Sequence, residues 1–471
     1  MIVLRPVTRL TRGDGDGLAP PRRPFDAGGA PLGAGSGPLV AGGGPLRVAL
    51  TALGCKVNYA EMAELAGALA AAGCEVVPDD EPADVRVVNS CAVTLQADAT
   101  TRKTLHRLRR REPACHLVLT GCSVDANPAR YLTAGAAGRP ARAIADSVFA
   151  NADKPRIAEH VAALPALSGG EPRPPRHAAL RSRAFIKVQD GCRHRCAYCI
   201  VWRARGASRS VPEPAVLARA REALAAGHAE LVLTGVDLGS YGRDLGGDLA
   251  HLLRRLLDEV GDAARIRLSS INANDITDRL IRLNADPRLC GHWHIPLQSG
   301  SDRILRAMRR GHRRDRYLRV VEALRRENPA TELTTDLMAA FPGETDEDHL
   351  ETLELIREVG FLRCHVFRYS PRPDTEAAAM PLRVDEGTAR RRSAELRRAA
   401  AASAQERLEL AASRRHQAVV LRLDGGEAHG LTAGYHQVVA SASSRTRVGS
   451  LQPVIPQRVE GDRLRCTIVD G

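Results

Sequence analysis

Three cysteines, Cys192, Cys196 and Cys199, lie within eight positions in the segment "KVQDGCRHRCAYCIVW". A structural zinc site is closed by four ligands, and His194 is a candidate for the fourth. A [4Fe–4S] cluster held by only three thiolates instead leaves one iron open to a substrate or cofactor. The Cx3Cx2C spacing follows a predicted strand, "AFIKVQ", where the active sites of barrel enzymes lie. The pattern favours the cluster, with zinc as the minor alternative.

A second group of three cysteines is spread along the N-terminal region. Cys55, Cys91 and Cys122 follow the short apolar strands "RVALTAL", "VRVVNS" and "HLVLTG". Loops after the carboxyl ends of parallel strands converge on one crevice, so these three residues can meet in space. A lone cysteine is more often a small buried apolar residue, and we assign that role to the five others: Cys74, Cys115, Cys290, Cys364 and Cys466.

Composition narrows the class of protein. The 471 residues contain no apolar run long enough for a membrane span and no secretory signal, so we expect a cytoplasmic chain. Reduced thiols are expected there, which argues against disulfides among the eleven cysteines. The formal charge of +13 fits either an Arg-rich composition or a polyanionic partner such as nucleic acid.

The pattern of elements predicts an α/β chain with several domains. Residues 1–44 are rich in Gly and Pro and predict a disordered tail. Strands alternate with helices over residues 45–165, which indicates an open parallel α/β sheet, and the polar, Pro-rich residues 166–180 indicate a linker. Six further candidate strands over residues 181–413 suggest a partial (β/α)6 barrel. Short strands in the basic residues 414–471 suggest a small β-barrel.

The motif Cx3CxYC resembles that of the radical S-adenosylmethionine (SAM) superfamily. With the upstream cysteines and the terminal β-domain, called TRAM in that family, the chain resembles the radical methylthiotransferases over about residues 45–471. The motifs "TALGCKVNYAE", "LTGVDLGSYG", "HIPLQSGSDRILRAMRRGH" and "VFRYSPRPDTEAAAMP" are similar to those of the enzymes that add a methylthio group to C2 of N6-threonylcarbamoyladenosine in tRNA. Sister classes act on isopentenyladenosine in tRNA or on an aspartate of a ribosomal protein.

The resemblance implies a role for each matching residue. The ligands of the radical [4Fe–4S] cluster are Cys192, Cys196 and Cys199. The ligands of an auxiliary [4Fe–4S] cluster are Cys55, Cys91 and Cys122. Tyr198 matches the aromatic residue that contacts the adenine of SAM, and the cofactor pocket includes Gly235, Gln298, Ser299 and Gly300.

The implied reaction replaces an aromatic C2–H bond by a carbon–sulfur bond, which side chains alone cannot do because that hydrogen is not acidic. Cofactors supply such chemistry while the protein positions them. SAM is implied as both the radical source and the methyl donor. The implied partners are a tRNA anticodon loop, a sulfur donor and an electron donor of the reductase, flavodoxin or ferredoxin type.

Basic residues are the candidate contacts with RNA. The helix over Arg102–Arg111 and the terminal barrel are candidates for phosphate contacts, although each also fits an ordinary solvated face. Arg205 and Arg209, just after the cluster loop, are candidates for contacts with the substrate or with SAM.

Two rival functions are an enzyme acting on a protein and a non-catalytic iron–sulfur protein that binds RNA. The basic terminal domain argues against the first rival, and the open iron argues against the second. The chain also departs from the family pattern at four positions: Trp202, Arg203, Ala340 and Asn272.

Overall fold

The computed structural model describes residues 45–92, 94–127, 131, 145–165 and 182–469, so the predicted tail and linker lie outside the described residues. The strands are β1 Arg47–Ala52, β2 Glu75–Val77, β3 Val85–Ser90, β4 His116–Gly121, β5 Ser147–Val148, β6 Ala184–Asp190, β7 Arg209–Ser210, β8 Glu230–Gly235, β9 Arg265–Leu268, β10 His292–His294, β11 Glu332–Ala339, β12 Arg363–Arg368, β13 His416–Asp424, β14 Glu427–Thr432, β15 Gln437–Ser441, β16 Leu451–Glu460 and β17 Arg463–Ile468.

Helices follow most of the parallel strands. They are α1 Lys56–Ala71, α2 Leu95–Arg111, α3 Cys122–Ala126, α4 Ile157–Ala162, α5 Val201–Arg205, α6 Glu213–Ala225, α7 Leu249–Val260, α8 Asp278–Leu283, α9 Asp302–Ala307, α10 Arg314–Glu327, α11 Asp346–Val359, α12 Glu376–Ala379 and α13 Glu386–Ala412. Among the described residues, no helix is both long enough and apolar enough to cross a membrane.

The N-terminal sheet is parallel, with the strand order β2-β1-β3-β4-β5. Alternate residues of its central strands point to opposite faces. Val85 and Val87 therefore pack with α1 and α4 on one face, and Val88 packs with α2 on the other. The chain reverses its direction of winding between β1 and β3, and in open sheets this switch point opens a crevice at the carboxyl ends of the strands. Cys55 ends the loop after β1 and Cys91 begins the loop after β3, and these two loops border the crevice.

The central domain is an open barrel of six parallel strands, as predicted. One sheet has the order β7-β6-β8-β9 and the other the order β10-β11-β12. Single bridges, Ile266 to Leu289 and Ser270 to His294, join them edge to edge. The strand β7 is antiparallel and, with two residues, too short to be recognised by periodicity. The carboxyl ends of all six parallel strands thus surround one lumen.

The C-terminal region is a closed five-stranded barrel with the order β13-β14-β15-β17-β16, which confirms the predicted barrel. Two of its strands, β14 and β16, escape sequence analysis. Gly430 interrupts the apolar pattern of β14, and Pro453 and Pro456 are atypical of strands. A register shift beside Pro456 accommodates the second proline.

Glu230 anchors the C-terminal barrel to the central one. Its buried carboxylate accepts hydrogen bonds from Arg265 Nε at 2.7 Å and from Arg267 Nε at 2.9 Å. The two guanidiniums then donate to backbone carbonyls of the terminal barrel, Arg265 to Leu431 and Arg267 to Thr432, both at 2.9 Å. Burial alone would raise the pKa of Glu230, but Arg267 and Arg265 lower it well below its usual range.

Replacing Glu230 by Gln should therefore destabilise the fold. Removing one partner of a buried ion pair costs about 3–5 kcal/mol, and here three guanidiniums, those of Arg183, Arg265 and Arg267, lose their counter-charge. The carboxylate stabilises the fold above the pKa of an exposed glutamate, about 4.3, so the loss should be complete at pH 7. Thermal unfolding followed by circular dichroism tests this. The matched control, Glu259→Gln, breaks an exposed pair with Arg221 and should leave the unfolding temperature unchanged.

Candidate active site between two groups of cysteines

The structure brings the N-terminal cysteines together at the crevice of the first sheet. Cys55 caps α1, Cys91 directly follows β3 and Cys122 begins α3. The approach requires glycine at position 54, where φ is +87° and an added Cβ would lie 2.4 Å from Cys91 Sγ. Cys55 interacts electrostatically with Cys122, and burial raises the pKa of Cys55. We call Cys55, Cys91 and Cys122 the N-terminal trio.

Arg205 joins this trio to the central domain. Its side chain is buried, with Nε 3.1 Å from Cys122 Sγ and Nη1 2.7 Å from Glu61 Oε1 on α1. Further hydrogen bonds run to Asp190 at 3.0 Å and to Asn58 at 2.9 Å. Every guanidinium nitrogen therefore has a protein partner, which gives Arg205 a positioning role, and its contact with the substrate or with SAM stays a prediction.

Glu61 pairs with cations of both the N-terminal and the central domain. Besides Arg205, its carboxylate pairs with Lys154 of the N-terminal domain and with Lys187 of β6. Burial would raise the pKa of Glu61, but these three cations lower it well below its usual range. Arg209 is exposed, and within the described residues its guanidinium donates to the backbone of Arg205 at 3.4 Å, so its contact with the substrate or with SAM stays a prediction.

The central trio, Cys192, Cys196 and Cys199, lies in the loop after β6. Backbone hydrogen bonds hold this loop, including one from Cys199 N to Cys196 O at 3.0 Å. Arg310 approaches Cys196 Sγ at 3.7 Å. Burial raises the pKa of Cys192 to about 12 and that of Cys199 to about 11. These groups are thiols at neutral pH without a metal, and metal binding must release their protons.

The geometry does not favour the zinc alternative. Three sulfurs at about 2.3 Å from one zinc ion would lie about 3.8 Å apart. In the described part of the chain, the groups whose ligand atoms all lie within 4.8 Å of one another are His294–Asp336–His365 and His194–Asp237–Asp275, and neither trio of cysteines is among them. The His194 ring lies 3.2 Å from Asp237 rather than with the cysteines, and hydrogen bonds to Asp237 and Asp275 raise its pKa to about 10.

The predicted cofactor residues divide between two environments. Tyr198 lies beside Arg310 and both Cys196 and Cys199, and Gly235 lines the lumen. Gln298 has a left-handed backbone, with φ of +74°, and within the described residues its buried Oε1 has no hydrogen-bond partner.

Ser299 and Gly300 instead pack against α11. Thr352 Oγ1 lies 2.9 Å from Gly300 N, and a Cβ at Gly300 would lie 2.6 Å from Thr352 Cα. Their position supports the turn at Gln298, and direct contact of Ser299 or Gly300 with a cofactor stays a prediction.

A cavity of about 440 Å³ lies in the lumen, next to Cys55 of the N-terminal trio, and is within the usual size of a ligand site. Cys55 and Lys56 line one side of it, and Asp336 and His365 line another. Asp336 interacts electrostatically with Tyr198, which adjoins the central trio. The cavity therefore connects the surroundings of both trios, as an enzyme that uses two metal clusters on one substrate requires.

Three functional candidates escape sequence analysis. Glu61 and Lys56 lie in an ordinary amphipathic helix pattern, and only the docking of that helix against β6 shows their roles. Arg372 is only 4% exposed, interacts electrostatically with Cys91 and Cys199, and has Nε and Nη2 without hydrogen-bond partners in the described chain. Its place in the segment "SPRPDT" gives no sign of this, because the contact joins residues far apart in sequence.

The departures from the family pattern keep the site intact. The Trp202 ring lies between Arg195 and Arg203, at 5.2 and 5.0 Å from the two guanidinium carbons. Asn272 accepts a hydrogen bond from Arg310 at 2.7 Å. Ala340 has φ of +63°, a left-handed conformation in which glycine avoids strain.

Comparison with known proteins matches both parts of this site. Residues 47–137, with the N-terminal trio, match uncharacterized protein family UPF0004, and residues 186–356, with the central trio, match the radical SAM superfamily. "Threonylcarbamoyladenosine tRNA methylthiotransferase MtaB" of Thermotoga maritima is 38% identical over 71% of this chain and 77% of the relative. The chain belongs to the radical SAM tRNA methylthiotransferase family. It is therefore an enzyme of this family, with iron–sulfur clusters and SAM as cofactors.

Other relatives of this methylthiotransferase carry one of two names. The MtaB enzyme of Bacillus subtilis is 34% identical over 72% of this chain and 77% of its own length. A "tRNA-2-methylthio-N(6)-dimethylallyladenosine synthase" of Frankia alni is 35% identical over 73% of this chain and 71% of its own. Among solved structures, the radical SAM methyltransferase TsrM from Kitasatospora setae shares the fold, with a TM-score of 0.52 and 13% identity over 71% of this chain and 77% of that one.

The Arg205 interface can be tested with a matched pair of variants. Arg205→Gln removes a buried cation from Glu61 and Asp190, and we expect a loss of about 3–5 kcal/mol in the free energy of unfolding. It also removes the contact with Cys122, so the iron retained after reconstitution should fall. Arg209→Gln, four residues away and exposed, should change neither value. Thermal unfolding measures the stability and iron analysis the iron content. If the two variants have the same stability and the same iron content, Arg205 does not join the domains.

Proposed function

We propose that this enzyme transfers a methylthio group to C2 of N6-threonylcarbamoyladenosine, the base next to the anticodon of tRNA. The observation that carries the proposal is the lumen cavity, in a chain related to tRNA methylthiotransferases. Cys55 of the N-terminal trio lines this cavity, and its wall residue Asp336 interacts with Tyr198, which lies beside the central trio. A base in the anticodon loop is single-stranded and can enter such a cavity at low energetic cost.

In this proposal the two trios hold two [4Fe–4S] clusters. Cys192, Cys196 and Cys199 hold the cluster whose open iron binds SAM, and Tyr198 packs against the bound cofactor. The N-terminal trio holds the auxiliary cluster at the side of the cavity lined by Cys55. When bound, these groups supply the radical and the sulfur that no side chain can supply.

The protein's own residues hold and separate the two sites. Arg310 donates toward Cys196 and is itself held by Pro296 O at 2.9 Å, which fixes one edge of the central loop. Arg205 likewise donates to Cys122 and is itself held by Glu61. Arg372, buried near both Cys91 and Cys199, offers positive charge to both clusters, whose thiolates are anionic.

The rest of the tRNA would lie on basic surfaces outside the cavity. Lys103, Arg107 and Arg110 on α2 are exposed, and the terminal barrel adds further arginines. Such groups position a nucleic acid through its phosphates without reading its sequence. We place the reaction in the cytoplasm, with an external sulfur donor and an external reductase, flavodoxin or ferredoxin as electron donor.

The alternative substrate is dimethylallyladenosine, the isopentenyladenosine of the sister class above. Relatives named as synthases of its methylthio derivative are 35% identical to this chain, almost as similar as the MtaB relatives. A ribosomal aspartate is a weaker alternative, since the relatives named above act on tRNA.

Nucleoside mass spectrometry of tRNA from cells with and without the gene distinguishes these substrates. We expect 2-methylthio-N6-threonylcarbamoyladenosine in cells with the gene, and its unmethylthiolated precursor in the deletion strain. Restoring the gene with Cys196→Ala should leave only the precursor, because the central cluster loses a ligand. If the deletion instead removes the methylthio group of dimethylallyladenosine, the alternative substrate is correct; an unchanged profile would contradict both.

A further inference from the structure

A lysine at one end of the lumen cavity forms no ion pair within the part of the chain that the structure describes, although it interacts electrostatically with the more distant Glu230. Lys56 is the first residue of α1, directly after Cys55, and both line the cavity. Its ammonium lies 5.9 Å from the ring centre of Tyr435. Within the described residues it forms no ion pair with any carboxylate. A partly buried cation without a counter-charge favours an anionic ligand.

The surroundings of Lys56 increase this preference. Arg183, Arg265 and Arg267 converge on the single carboxylate of Glu230, at distances of 2.7 to 3.4 Å. Three guanidiniums therefore share one negative charge. The Arg267 guanidinium also lies 5.2 Å from the centre of the Tyr435 ring, the same ring that the Lys56 ammonium approaches. This end of the cavity has an excess of positive charge even before Lys56 is counted.

The one carboxylate that lines the cavity is already paired. Asp336 lies 3.3 Å from His294 Nε2. His292 is held by Thr334 at 2.9 Å and stacks on Tyr435 with ring centres 4.2 Å apart. The cavity thus offers an ammonium without an ion pair at one end, and along its wall a carboxylate that already has a histidine partner.

We propose that Lys56 binds the carboxylate of the threonyl group of the substrate and so selects an anionic modified adenosine. This inference rests on the proposed function. The threonylcarbamoyl group ends in a free carboxylate, whereas the dimethylallyl group is a hydrocarbon. Covering Lys56 with a hydrocarbon would remove water from the ammonium without replacing it, which is costly. Because Cys55 and Lys56 are adjacent, a base held by Lys56 also lies beside the N-terminal trio.

Binding of synthetic anticodon stem-loops tests this role directly. Three loops differ only at the base next to the anticodon: N6-threonylcarbamoyladenosine, its methyl ester, and adenosine. The reconstituted wild-type protein should bind the acid at least about ten-fold more tightly than the ester, the range expected for a hydrogen bond to a charged group. Lys56→Gln should bind all three loops with the affinity that the wild type has for the ester.

Two further variants separate recognition from damage to the neighbouring site. Lys56→Arg keeps the positive charge and should keep the preference for the acid. Lys103→Gln removes an exposed lysine of α2. This variant should also keep the preference for the acid, even if its affinity for all three loops falls. Iron content, measured for each protein, shows whether the site at Cys55 is intact.

The outcome is independent of the test of the reaction itself. If Lys56→Gln with full iron content still prefers the acid, or if the wild type binds the acid and the ester equally, the inference is wrong although the proposed function can stand. If nucleoside analysis shows no methylthiolation of threonylcarbamoyladenosine, the proposed function fails and this inference fails with it.

Discussion

The buried ion cluster around Glu61 determines where the two halves of the enzyme meet. Glu61 lies on the first helix of the N-terminal domain, and its partners Arg205 and Lys187 belong to the central domain. Removing charges from water is costly unless each finds a close partner, so these groups tolerate little displacement of one domain against the other. Because Arg205 also reaches Cys122, the same cluster places the N-terminal trio at the lumen of the barrel. The place of Cys55 in the wall of the cavity depends on this contact.

Charge is distributed unevenly along that cavity. Near Lys56, three arginines converge on the single carboxylate of Glu230, while elsewhere on the wall Asp336 lies 3.3 Å from His294. In a space that excludes much of the water, such differences act more strongly than on the surface. The cavity can therefore orient a base with an acidic substituent, with the substituent toward Lys56. The arginines around Glu230 serve a second purpose, because they also hold the terminal barrel whose Tyr435 closes this end.

Much of this arrangement could be predicted from local sequence. Cysteines directly after three parallel strands meet because the carboxyl ends of such strands share one edge, and the family motifs identify the enzyme class. The contacts of Arg205 with Cys122, Glu61 and Asn58 could not be predicted, since these partners lie more than eighty residues away and depend on domain docking. For the same reason Lys56 resembles any polar first residue of a helix, and Arg372 any loop arginine. The short strands β2, β5 and β7 lack the length that periodicity needs.

The central claim is that each trio holds its own iron–sulfur cluster and that only the central one binds SAM for cleavage. Iron analysis of anaerobically reconstituted protein tests it most directly, together with an assay for reductive cleavage of SAM. The wild type should contain about eight irons, as two four-iron clusters. Cys91→Ala should contain about four and still cleave SAM, and Cys74→Ala, at a buried cysteine outside both trios, should keep eight. Loss of SAM cleavage in a Cys91→Ala protein that retains four irons would contradict the account.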